Sequence, residues 1–177
     1  MQSNIQPTGA VDEIKALRTL FEDYLKGIYW VENTLIAIFP QMLKHLHSKE
    51  LNAMVTEYVK NTTAHVERIV QIFESIGIEV EEKRFKAVDS LINELEIVAA
   101  QTHFGPVRDA AVIAILQHII HCEIASYGTL RSFSITLKEE NVVTLLEENL
   151  DDEKAFDLQL TALAEAYVND EAANKLV

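Results

Sequence analysis

The sequence predicts an all-α four-helix bundle: two antiparallel hairpins joined by one long crossover that carries an extra helix. Three observations carry this. Nearly half of the 177 residues are apolar (49%), while Gly and Pro number only 5 and 3. Such a composition suits long helices with short turns better than a sandwich, a barrel or a disordered chain. Apolar residues recur at helical spacing over four long runs, and the breaks between the runs are short, long and short in turn. At this length one domain can bury a core without staples.

Residues 1–11 read as a flexible leader broken by Pro7-Thr8-Gly9, and Asp12 is placed to cap the first helix. Leu17, Leu20/Phe21, Tyr24, Ile28, Val31, Leu35, Ile38/Phe39, Met42 and Leu46 mark that helix's inner face, which runs through Pro40 with a bend. After a tight turn at His47, Ser48 offers an N-cap to a second helix with Leu51, Met54/Val55, Tyr58, Thr62, His65, Ile69, Ile72/Phe73 and Ile76 on one face. Gly77 stops it. A charged link from Glu79 to Arg84 leads into a shorter helix over 85–100, faced by Val88, Leu91, Ile92, Leu95 and Val98.

Gly105-Pro106 is a stop and a start, with Pro106 suited to a first helical turn. The third long helix shows Ile113, Leu116, Ile120, Glu123, Tyr127 and Leu130. A break at Lys138-Glu139-Glu140 leads to the fourth, with Leu146, Leu150, Glu153, Asp157, Leu160 and Tyr167. The bundle is read as residues 12–168 and the stretch 169–177 as a frayed tail. Two hairpins joined by one long crossover is the ferritin-like way to connect four helices; an up-down-up-down bundle needs a short middle link.

Charge narrows the function. The net charge is −13, a field that repels phosphate backbones and argues against direct nucleic-acid binding. The lone Cys122 excludes an internal disulfide and a cysteine zinc site, and it reads as a small core hydrophobe in a reducing compartment. Met1 to Ala10 lack the basic start and apolar centre of a signal peptide. Ala110 to Ala125 is broken by Gln117, His118, His121 and Glu123, too polar a stretch to span a membrane. A cytoplasmic protein is expected.

Polar residues on the apolar stripes are the informative feature. Glu32, His65, Glu123, Glu153 and Asp157 all fall in register with core residues, so each long helix points at least one ligand-type side chain inward. Taken singly, each has a plain explanation. A glutamate on such a face usually reaches water, and an inward histidine is usually a hydrogen-bonded core residue. His118, Asp151 and Asp152 read as solvated, and His121 lies beside the inner face. The coincidence on four helices is what argues for more.

Buried carboxylates need a cation, and no Lys or Arg shares these faces apart from Arg131 near a helix end. Carboxylates and imidazoles converging from four helices are what a di-iron or di-manganese carboxylate centre requires. The usual Glu-x-x-His signal is missing: Thr62 stands three before His65, and Phe156 three after Glu153. Without metal, the hydroxyls of Tyr24, Tyr58 and Tyr127 stand near enough to the stripes to serve the acids.

Several stretches resemble the YciE/YciF-like ferritin-like family. They are Tyr29-Trp30-Val31-Glu32-Asn33, His65-Val66-Glu67-Arg68-Ile69, Val107-Arg108-Asp109-Ala110-Ala111, and the distinctive Glu123-Ile124-Ala125-Ser126-Tyr127-Gly128-Thr129-Leu130. Leu150-Asp151-Asp152-Glu153-Lys154-Ala155-Phe156-Asp157 matches a further family run, so the likeness spans roughly residues 12–168. It implies a ferritin-like bundle, dimeric rather than a cage, linked to bacterial stress responses and without a settled activity. It also implies a two-metal site of inward carboxylates, which maps onto Glu32, Glu123, Glu153 and Asp157.

Two departures stand out: Asn61 and Ile120 occupy positions where family members carry Glu. The expectation is a stress-associated protein whose iron or manganese site is reduced to one ion or none. Glu32, His65, Glu123 and Glu153 would be its ligands, with Asp157 and His121 outside them. The residues leave open iron, manganese or no metal, and they assign no reaction. The alternative is a non-catalytic helical homodimer that acts as a scaffold or protein-interaction module.

Overall fold

The structure is a computed structural model that describes residues 8–174, with side chains from residue 12. Helix α1 (Thr8–Met42) begins inside the stretch read as a leader. Asp12 therefore lies within the helix rather than at its cap, because Ala10 and Val11 continue the helix and Gly9 costs it only about 1 kcal/mol. Residues 1–7 lie outside the described residues. Pro40 falls in the last turn of α1, where its missing N–H leaves the Ile36 carbonyl without its helical donor. The α-helix ends at Met42 and tightens into a 3₁₀ turn over Leu43–His45, rather than running on to Leu46.

Helix α2 (Lys49–Ile76) starts and stops where its cap residues dictate. The Ser48 hydroxyl accepts the Leu51 N–H at 3.2 Å, and Gly77 adopts the left-handed conformation at φ 72°. The charged link then runs back along α1, with the Lys83 N–H on the Lys26 carbonyl at 3.1 Å and the Lys83 ammonium on Asp23 at 2.7 Å. Helix α3 (Lys86–Gln101) buries Val88, Ile92 and Leu95 and lies on α4 and α1.

Pro106 opens α4 (Pro106–Leu137), and Lys138 ends it in the left-handed region. Helix α5 (Glu140–Leu163) passes through a π turn, Ala164–Val168, into a short α6 (Asn169–Asn174). Helix thus continues into the stretch read as a frayed tail.

Helix α1 packs on α2 and α4, and α5 packs on the same two. The start of α4 lies at the α1–α2 turn, where Asp109 meets His47 and Ser48. Its far end lies by the start of α1, where Arg18 donates to Glu139 at 2.6 Å. All neighbouring helices of the bundle are therefore antiparallel, which is the ferritin-like arrangement.

Helix α4 is, among the described residues, the one helix long and apolar enough by composition to cross a membrane, with a mean hydropathy of 1.4 in its best window. Gln117, His118, His121 and Glu123 break Ala110–Ala125 but do not lower its hydropathy enough to exclude a span by composition. In this fold its apolar residues are used instead by α1, α3 and α5.

Candidate metal centre

Midway along the bundle the inward polar positions converge. Glu32 on α1, His65 on α2, Glu123 on α4 and Glu153 on α5 are each completely buried. Helical spacing places them there: Glu32 follows Ile28 by four, His65 precedes Ile69 by four, and Glu123 follows Ile120 by three. One ligand atom each from Glu32, His65 and Glu153 lie within 4.8 Å of one another.

The His65 Nδ1 lies between two carboxylate oxygens, 3.4 Å from Glu32 Oε1 and 3.3 Å from Glu153 Oε1. It is aligned for a hydrogen bond to neither. Its Nε2 lies 3.3 Å from Asp152 Oδ2.

Two tyrosines serve the acids. Tyr58 donates to Glu123 Oε2 at 3.0 Å or to Glu153 at 3.1 Å, and Tyr127 donates to Glu32 Oε1. Phe156 stacks on the Tyr58 ring with centroids 4.2 Å apart, which holds that hydroxyl in place. These donors do not suffice. Glu32 Oε2 and Glu123 Oε1 remain buried without a hydrogen-bond partner, a costly state for carboxylate oxygens.

The electrostatics record the same deficit. Burial, then the charges of Glu153 and Glu32, hold the Glu123 carboxyl well above its usual range. Burial also raises Glu153, to about 7, against the opposing pull of His65. For His65 burial acts downward, but the carboxylates of Glu32 and Glu153 outweigh it and carry the imidazole to about 10. Burial beside these acids pushes both tyrosines up, so their hydroxyls stay protonated as donors.

Asp157 and His121 do not join the cluster. They meet each other at 3.4 Å on the α4–α5 surface, where His121 is 64% exposed. Asp157 accepts instead from Gln117 at 3.0 Å. Along α5 it is Phe156, not Asp157, that continues the buried stripe after Glu153. Tyr24 is exposed and edge-on to Phe133, and Arg131 pairs with Glu147 away from the centre. Ile120 is buried core, and Asn61 is half-buried.

Sequence reasoning missed Asn149, Asp152 and Arg68. Asn149 is fully buried. Asp152 looks like half of a solvated acidic pair, and Arg68 lies 84 residues from it. No local signal marks that pairing.

The family described as "Domain of unknown function (DUF892)" matches residues 16–173. The protein YciF of Escherichia coli (strain K12) is 34% identical over 163 residues, covering 92% of this chain and 98% of YciF. The crystal structure of that E. coli stress protein superposes with a TM-score of 0.82 at 33% identity, covering 86% of this chain and 97% of that one. YcfI from Rhodopseudomonas palustris superposes with a TM-score of 0.80 at 28% identity, covering 91% of this chain and 97% of that one. The chain belongs to the YciF-like family of ferritin-like helical proteins described as DUF892.

Proposed function

We propose that this protein binds a single iron or manganese ion at the centre of its bundle, as a stress-associated relative of YciF. The observation that carries the reading is the convergence of Glu32, His65 and Glu153 within 4.8 Å in a fully buried place. The unpartnered oxygens of Glu32 and Glu123 beside them point the same way. Carboxylate oxygens with one imidazole suit iron and manganese, and the absence of sulfur ligands disfavours softer choices. Helix α4 brings only Glu123, with Ile120 one turn before it, so the set is short of the carboxylates that two ions need.

Glu32, His65 and Glu153 would hold the ion, and Glu123 would stand beside it on Tyr58. Bound iron or manganese would supply redox chemistry towards oxygen or peroxide. The protein's own part is to keep water out, to hold Glu32 through Tyr127, and to hold Glu153 and Glu123 through Tyr58.

The test is elemental analysis of protein purified without chelator and then reconstituted with Fe²⁺ or Mn²⁺. About one ion per chain is expected, and two tightly held ions or none would overturn the reading. No metal would favour a non-catalytic helical scaffold, its inner acids served by the two tyrosine hydroxyls and His65. The stress association rests on the likeness to YciF, and a cytoplasmic homodimer belongs to the same proposal. Light scattering in solution checks the dimer.

A further inference from the structure

We infer that Asp152, held by Arg68, is a positioning residue that fixes the His65 ring with Nδ1 turned inward and Nε2 turned outward. The inference rests on the metal site proposed above. An imidazole offers a cation one nitrogen, and what the other nitrogen donates to sets the ring's orientation. Here Asp152 Oδ2 lies 3.3 Å from Nε2, while Nδ1 faces Glu32 and Glu153.

The same Oδ2 accepts from Arg68 Nη1 at 3.1 Å. That nitrogen also donates to Asn149 Oδ1 at 2.9 Å, and Arg68 Nε pairs with Glu148 at 2.8 Å. Asn149 in turn donates to the His65 carbonyl at 3.4 Å. One stretch of α5 therefore meets His65 at its backbone, its outer nitrogen and its inner nitrogen, through Asn149, Asp152 and Glu153. Without Asp152, the outer nitrogen has no carboxylate partner among the described residues.

A plain surface ion pair would predict less. Arg68 and Asp152 side chains are 23% and 39% exposed, and a pair of that kind adds little stability. It would leave the affinity of a buried site untouched. A positioning role moves that affinity.

The experiment titrates the full chain with Mn²⁺ alone and records histidine ring ¹⁵N spectra of the metal-free protein. Wild type is compared with Asp152→Ala and Asp152→Asn, with melting curves to check that each variant folds. Asp152→Ala should weaken Mn²⁺ binding about 10–100-fold and remove the slowly exchanging Nε2–H signal of His65. Asp152→Asn should restore most of both, since an amide oxygen can accept from His65 and Arg68 alike. An unchanged Nε2–H signal in Asp152→Ala overturns the inference, as does wild-type Mn²⁺ affinity in that variant. A wild type that binds no Mn²⁺ removes the proposed site, and the ring spectra alone then decide the positioning role.

Discussion

Two buried acidic places in this bundle are built in opposite ways. At one end, Asp109 is 1% exposed and divides its carboxylate between two backbone donors, the His47 N–H at 2.8 Å and the Ser48 N–H at 2.6 Å. Each oxygen has its donor, and the effect is to tie the α1–α2 turn to the first turn of α4. At the centre, three fully buried glutamates share two tyrosine hydroxyls and one imidazole, and two of their oxygens are left over. Burial of an acid is thus no mark of function by itself. An acceptor left without a donor is the mark, because folding alone would not select it.

The contrast breaks first if the end acid proves dispensable. Asp109→Ala would strand the N–H groups of His47 and Ser48 in a buried place, each at about 1–3 kcal/mol. The expected loss is about 3 kcal/mol, a fall in melting temperature of roughly 10 °C for a chain of this size. Reconstituted metal per chain should stay as in wild type. A change below about 1 kcal/mol in denaturant melts would mean that the turn is held by something else.

The same chemical swap should have opposite signs at the two places. Asp109→Asn keeps one acceptor oxygen and turns an amide NH₂ towards a backbone N–H, at a cost of about 1–2 kcal/mol. Glu123→Gln keeps an oxygen for Tyr58 and removes one of three acids buried together. Metal-free protein in chelator should therefore gain about 1 kcal/mol from it. Melts of the two variants side by side decide this, and equal signs would erase the distinction between the two acids.

How far this contrast could be read from the sequence depends on distance along the chain. The four helices, the Ser48 and Gly77 boundaries and the inward turn of Glu32, His65, Glu123 and Glu153 follow from spacing of three and four residues, which is local. Asp157 meets the same arithmetic, four residues after Glu153, and is displaced all the same. With Phe156 already filling the inner place, Asp157 falls to the rim. Asp109 reads locally as a helix-start acid; its partners lie about sixty residues away. Asp152 is also invisible locally, because what makes it matter is Arg68 and His65 on another helix.

Acidity gives a gradual effect. Glu153 has its folded pKa raised from 4.5 to about 7. A group raised in this way stabilises the fold fully below its unfolded pKa, and that contribution is lost as pH rises through the folded value. His65, raised from 6.5 to about 10, acts in the same direction over a higher window. Metal-free protein should therefore melt lower at pH 8 than at pH 5, by roughly 5–10 °C. Glu153→Gln should flatten the fall between pH 5 and 7. A melting temperature that rises over this range would contradict the buried-acid account of the centre.

The smallest effect is expected where sequence spacing suggests ligands and the fold withholds them. His121 and Asp157 face each other at 3.4 Å on the surface, and Asp157 is further held by Gln117. A pair this exposed contributes at most about 0.5 kcal/mol. His121→Ala and Asp157→Ala should each leave the melting temperature within about 2 °C of wild type, and neither should change the metal bound per chain or its affinity. Both lie on α4 and α5, the helices that carry Glu123 and Glu153, so the comparison is demanding: same helices, adjacent turns, different burial. If His121→Ala weakened Mn²⁺ binding as Glu153→Gln is expected to, the ion would have to sit towards the α4–α5 surface. The unpartnered oxygens of Glu32 and Glu123 would then need another explanation.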